Sequence, residues 1–292
     1  MNAEDALAGL LENYSVEVLA RDRASIAAAA ALSRKLEVFI ANLPNESVDV
    51  LVDAAKRLKL AGLSPVPHVV ARNITDARAL DDMLARLAGE AGVERALVIG
   101  GDRDSPVGPF AAALQVIETG LFGKHGIGGI ALACHPEGHP RIPGPVLEEA
   151  LAAKITAAAE RELDVLLVSQ FAFDSRPVVA FARRLRAAGL TAPLRVGVAG
   201  PNDRVALIKY ALRCGVGASL RALRERHELA RNVLAGETPE HLLTEIALAE
   251  AAEPALGIAG VHFFTFGAAA RSIQWAEARR VPQQQVSYAR EA

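Results

Sequence analysis

The residues able to do chemistry stand singly inside apolar runs of this chain. Glu17 lies within VEVL, where burial disfavours a charged carboxylate and suits it to hold a proton as a general acid. Pairing with an interior Arg or a backbone donor is the open alternative. Asp102 follows VIGG. Bare glycines let a backbone approach a planar ligand, and the carboxylate then accepts from ring nitrogens, unless it only closes an Asx turn. Gln170, in VSQFAFD, carries an amide that donates and accepts, which fits a ring edge of mixed polarity or neighbouring backbone.

The run ACHPEGHPRIP sets His135 and His139 four apart, with Glu137 between them, a set that could ligate zinc. Pro136 and Pro140 forbid a regular helix there. A rigid loop presenting imidazoles to a ligand is therefore the better reading, and no metal is expected. Lys154 falls on a helix beyond that loop, placed either to meet a phosphate or to lie solvated. Two glycine-rich runs, GLFGKHGIGG and CGVGAS, spell neither a dinucleotide fingerprint nor a phosphate loop, and no GxSxG elbow occurs.

What could bring such residues together is the alternation of short β-rich runs with longer Ala/Leu/Arg segments of helical period. Strands are expected near Tyr14–Ala20, Leu36–Leu43, Pro67–Arg72, Arg95–Gly100, Gly128–Cys134, Asp164–Phe173, Leu194–Ala199 and Val261–Phe266. Helices are expected over Ser47–Leu60, Ala77–Ala91, Pro145–Arg161 and Val178–Ala188. Runs such as LEVFIANL and LDVLLVS are almost continuously apolar, as for strands covered on both faces. The pattern predicts an α/β fold, a single (β/α)8 TIM barrel over residues 1–292. A doubly wound open sheet is the competing arrangement. Residues 1–13 read as an N-terminal helix, Gly215–Pro254 as extra helices before the last strand, and 280–292 as a flexible tail. A barrel gathers its chemistry at the carboxyl ends of its strands. Glu17, Asn42, His68, Arg72, Asp102, His135, Glu137, His139, Gln170, Asp174, Asn202 and Thr265 all fall in or just after expected strands.

Composition narrows the class. At 292 residues, 51% hydrophobic and 23% charged, the chain has ample material for a core. Two cysteines make no disulfide framework or cysteine-rich metal site, in keeping with a reducing cytoplasm. The acidic N-terminus lacks the features of a signal peptide, and no run has the length of a membrane span. A net charge of -2 and 4% aromatic residues argue against a nucleic-acid surface. An enzyme is expected.

The ordered set VEVL, PHVVAR, IGGD, HPEGHP, SQFAFD and HFFTF, from about Tyr14 to Trp275, resembles the methylenetetrahydrofolate reductase family. The resemblance implies a (β/α)8 barrel holding FAD. It implies interconversion of 5,10-methylenetetrahydrofolate and 5-methyltetrahydrofolate, with NADH or NADPH as co-substrate, in cytoplasmic one-carbon metabolism and methionine biosynthesis. By motif position Glu17 looks like the general acid, protonating N10 so that the folate ring opens. Asp102 matches the aspartate near flavin and pterin, Gln170 the glutamine that binds the folate, and Thr265 lies in the last-strand motif as a substrate contact. His68, Gly101, Asp102, Phe110, Ala111, His135, His139 and Lys154 match flavin-contacting positions. The sequence departs from the family at Gly100, where Arg is usual, at GVAGPND after the seventh strand, and at Gly267–Ala268, where a basic residue is common. Two alternatives stay open: a pterin-binding barrel methyltransferase without flavin, and a non-catalytic member of the family. Family members often self-associate, so a homo-oligomer is possible on the resemblance alone.

Overall fold

The structure, a computed structural model, describes residues 2–32, 35–44, 46–201 and 238–280. Eight parallel strands close into a barrel in chain order: β1 (Ser15–Leu19), β2 (Glu37–Ala41), β3 (Ser64–Val70), β4 (Arg95–Ile99), β5 (Gly129–Cys134), β6 (Asp164–Ser169), β7 (Leu194–Ala199) and β8 (Ile258–Phe264). The TIM-barrel expectation holds. The described helices are α1 (Ala3–Leu11), α2 (Arg23–Ala30), α3 (Val48–Leu60), α4 (Ala77–Ala91), α5 (Ala113–Glu118), α6 (Leu121–Lys124), α7 (Gly144–Ala159), α8 (Ser175–Ala187), α9 (Glu240–Ala252) and α10 (Ala269–Arg280). Contacts cluster into two compact units. One comprises Glu17–Cys134 and Gly144–Val168; the other comprises the chain up to Val16, His135–Pro143 and the part from Ser169 on.

In the unit holding β2 to β5, register explains the two-faced burial. Phe39 pairs with Val66, His68 with Leu97, and Leu97 with Ala131. Alternate residues point to opposite faces, so Phe39, Val66, Leu97, Ala131, Leu166 and Val168 meet in one core cluster. Val38, Ile40, Val69, Ala96 and Val98, on the other face, are fully buried. Beside the first residues of these strands sits Arg95, its guanidinium 3.3 Å from Glu37 and 2.6 Å from Asp164. Gly129 lies against it, where a Cβ would come within 3.2 Å of the guanidinium carbon. Helix ends follow local rules: Asp76 caps α4 through the Ala79 amide at 2.8 Å, and Gly92 at φ 56° ends it.

In the other unit α1 packs on α9 and α10. Tyr14 lies edge-on to Phe263 and donates to Glu277 Oε1 at 2.9 Å. Arg280 closes α10 against Glu12 and Glu277 at 3.1 and 3.2 Å. The expected tail therefore starts one residue too early, because these ion pairs hold Arg280 to the fold; 281–292 lie outside the described residues.

Strand edges differ from expectation for physical reasons. β3 starts at Ser64, not Pro67, despite Pro65 and Pro67. Alternate residues send their N–H groups to the same side, and Ser64 donates to Leu36 on the β2 side at 2.9 Å. Both prolines thus lack donors only toward β4, and the β4 ladder begins at His68. Arg72 lies beyond the strand, on a 3₁₀ turn over Ala71–Asn73. β6 ends at Ser169, not Phe173: the Ser169 hydroxyl accepts from Gly197 N–H at 2.8 Å and donates to Gln170 O at 2.9 Å, and the chain turns away. β8 starts at Ile258, ahead of Val261, because Gly260 passes the Asn13 carbonyl where a Cβ would sit at 2.2 Å. It ends at Phe264, which leaves Thr265 in the following turn. Of the helix-rich stretch Gly215–Pro254, the described part holds α9; the remainder, like Asn202, lies outside the described residues.

Gly197 gives a direct test of the packing around β7. A Cβ there would stand 2.1 Å from Ser169 O and 2.8 Å from Phe264 Cε2. Gly197→Ala should lower stability by about 1–3 kcal/mol in urea unfolding; wild-type stability would disprove the close approach.

Candidate functional site

Of the sequence-chosen residues, Glu17 and His68 lie within strands, Gln170 and Thr265 just after them, and Lys154 on α7. In β1, Glu17 sits between the buried Val16 and Val18. His68 Nε2 on β3 lies 3.3 Å from Glu17 Oε2, with side-chain exposures of 9% and 20% for His and Glu. The imidazole is off the direction of a hydrogen bond, so this buried Nε2 has no hydrogen-bond partner. The carboxyl and the imidazole are thus near neighbours in a largely enclosed place. The structure brings this pair of expected site residues within ion-pair distance.

Gly101, Asp102, Phe110 and Ala111 share the loop after β4. Gly101 adopts φ 99°, and a Cβ there would lie 2.5 Å from Val70 Cγ1, so glycine is required both by conformation and by close approach. Asp102 is exposed, whereas Phe110 is buried and contributes to the core. The expected flavin contact at Phe110 is thus first a packing residue. Ala111 and Ala112 donate their N–H groups to Gln115 Oε1 at 2.7 and 3.1 Å.

After β5, His135 and His139 lie edge to face at 5.2 Å, and Arg141 N–H donates to His139 Nδ1 at 3.2 Å. No group of three His, Cys, Asp or Glu among the described residues could hold a metal ion. Between the histidines, Glu137 Oε1 accepts from the Phe173 N–H at 3.4 Å, while Oε2 is enclosed without a hydrogen-bond partner. Burial pushes this carboxyl from 4.5 up to about 7, against the lowering pull of the Phe173 and Asp174 amides; Asp174 as a charge raises it further. Glu137 was visible in the His/Pro loop, yet residue type alone did not distinguish it from its neighbours. Its enclosure comes from the loop after β6.

Lys154 on α7 is half-buried, and burial lowers its pKa. Its charge acts on the fully buried Cys134 thiol, which desolvation pushes up to about 12. No ion pair or hydrogen bond holds the Lys154 ammonium among the described residues. A half-buried cation without a carboxylate partner fits an anion such as a phosphate.

Gln170 stands just after β6, where its Oε1 accepts from Phe171 N–H at 3.0 Å. Its expected role toward a substrate is left to the amide nitrogen. Thr265, just after β8, is buried at 2% exposure. Around these ends Phe171 meets Phe173, Phe264 and Phe266 edge-on at 5.7, 5.5 and 5.6 Å. Phe266 holds φ 48°, a backbone conformation rare for a bulky residue. Deeper in the same unit, Ser15 Oγ lies 2.9 Å from His262 Nδ1, both residues fully buried. The aromatic group and the Ser–His contact were not anticipated, because each joins strands far apart in the chain.

No family model matches this chain. Solved structures similar to it include dihydropteroate synthase from Thermus thermophilus, at 15% identity and TM-score 0.48 over 91% of this chain and 92% of that one. Yersinia pestis dihydropteroate synthase with a pterin–sulfa conjugate matches at 10% identity and TM-score 0.46, over 92% and 94%. Oxaloacetate acetylhydrolase matches at 12% identity and TM-score 0.49, over 95% and 85%.

Glu137 makes stability depend on pH. Its folded pKa lies above its ordinary value, so its contribution is fully present below about 4.5 and is lost as pH rises through about 7. Thermal unfolding between pH 5 and 8 should show a decline worth about 2–3 kcal/mol at most, and Glu137→Gln should flatten it. An equal slope in the variant would remove Glu137 as the cause.

Proposed function

We propose that this chain is a barrel enzyme acting on a reduced pterin. More narrowly, we read it as an FAD-dependent oxidoreductase interconverting 5,10-methylenetetrahydrofolate and 5-methyltetrahydrofolate, with NADH or NADPH as co-substrate. The observation that carries this reading is the enclosed pair of Glu17 on β1 and His68 on β3 at 3.3 Å, with Glu17 in the run that resembles the proton-donating segment of the methylenetetrahydrofolate reductases.

Residues of this chain suit the flavin. Gly101 offers backbone without a side chain, Lys154 a half-buried cation with no ion pair among the described residues, and the loop after β5 the imidazoles of His135 and His139. Ala111 joins the set from the loop after β4, whereas Phe110 packs in the core. When bound, FAD supplies the hydride chemistry, and the protein supplies orientation and charge. Glu17 holds the proton destined for N10 of the folate, and His68 keeps the carboxyl in place. Asp102, exposed at its loop, accepts from pterin N–H groups. The Gln170 amide nitrogen donates to the same ring.

A second reading, a pterin-binding methyltransferase without flavin, draws on Gly100, which stands where the resembled family usually has an arginine. Both readings share the pterin and divide on the cofactor.

Protein purified without additions should be yellow and release FAD on denaturation. A colourless protein that takes up no added FAD yet binds methyltetrahydrofolate would favour the second reading. In the first, turnover of methyltetrahydrofolate with an electron acceptor should fall by about 10²–10⁴-fold in Glu17→Gln. Full turnover in that variant would defeat the acid assignment.

A further inference from the structure

We propose that Arg72 is the positioning residue of the loop after β4, fixing its conformation before any ligand arrives. Arg72 takes hold of this loop at four points. Its N–H donates to Gly100 O at 3.0 Å, and its carbonyl accepts from Val107 N–H at 3.1 Å. Its side chain spans the rest, Nε donating to Ala111 O at 2.9 Å and Nη1 to Arg103 O at 2.7 Å. The two carbonyls lie eight residues apart in sequence, one near each end of the loop.

The neighbours tighten the same seam. Arg103 returns across it, Nε to Asn73 Oδ1 and Nη2 to Pro44 O, both at 2.7 Å. Gly108 lies so close to the turn after β3 that a Cβ would stand 2.1 Å from Thr75 O. Gly101 fits against Val70 only without a side chain. The glycines allow the approach, and the guanidinium fixes it. A planar fork with several donors can serve two separate carbonyls at once, whereas a lysine ammonium on its flexible stem is a single point of charge.

For function, this inference rests on the reading above, in which Gly101, Asp102 and Ala111 meet the ligand. Arg72 then governs affinity through the shape of the loop, spending none of its side-chain bonds on the ligand. Preorganisation of this kind strengthens binding by removing the ordering cost.

The test uses the full chain with Arg72→Met and Arg72→Lys. Hydrogen exchange followed by mass spectrometry on ligand-free protein reads the loop, and FAD titration by flavin fluorescence reads affinity. In Arg72→Met, exchange over residues 101–111 should quicken by about tenfold, with the barrel strands unchanged. The FAD dissociation constant should rise by about tenfold, and Arg72→Lys should recover less than half of either effect. Unchanged loop exchange in Arg72→Met, or complete rescue by lysine, overturns the proposal. Should wild-type protein take up no FAD, the oxidoreductase reading fails while loop exchange still decides the role of Arg72. If Arg72→Met does not fold, loop exchange in Arg72→Lys decides it, and wild-type exchange there counts against the proposal.

Discussion

A closed parallel sheet leaves a narrow interior, and side chains from successive strands must share it by size. Here large residues are met by small ones. Phe39 and Leu97 share a cluster with Ala131, and the Arg95 guanidinium lies over Gly129. Gly197 leaves room for the Ser169 carbonyl and the Phe264 ring. The same constraint makes polar groups inside the strands few, and those present, such as Ser15 with His262 and Glu17 with His68, stand in pairs.

The groups that do sit near the ends are governed by enclosure more than by formal charge. Glu17 and His68 stand close with little solvent around them. Burial pushes the Glu137 carboxyl up to about 7, and one of its oxygens has no hydrogen-bond partner. Among the described residues no acid pairs with Lys154. Each would be an expense in a protein that used these ends only for support, since desolvated polar groups destabilise unless something compensates them. Enclosed groups of this kind are compensated when a bound molecule supplies the missing partner.

The fold was legible in the sequence because strands covered on both faces are continuous apolar runs, and β7 matched its expected bounds, Leu194–Ala199. α4 likewise matched at Ala77–Ala91, where Asp76 and Gly92 mark both ends. Strand ends were less legible. Pro65 and Pro67 read as breakers although one side of a strand can spare its donors, and SQFAFD read as strand although the Ser169 hydroxyl turns the chain out of the ladder. The helices α2, α5, α6 and α10 were not foreseen: α5 and α6 are short, and α2 is largely alanine. Of the candidate site, residue types and motif order pointed to Glu17, His68 and the loop after β4. The Arg72 bonds and the phenylalanine group escaped notice because they join segments that adjacency in sequence does not relate.

Cys134 carries a consequence of its own. A thiol held protonated up to about 12 and shut away from solvent is a poor nucleophile, since the thiolate is the reactive form. Alkylating agents and peroxides can therefore modify it only when the last residue of β5 comes loose. The sulfur is a built-in clock for breathing at that edge of the barrel, and its rate of labelling measures how often the native sheet lets go there.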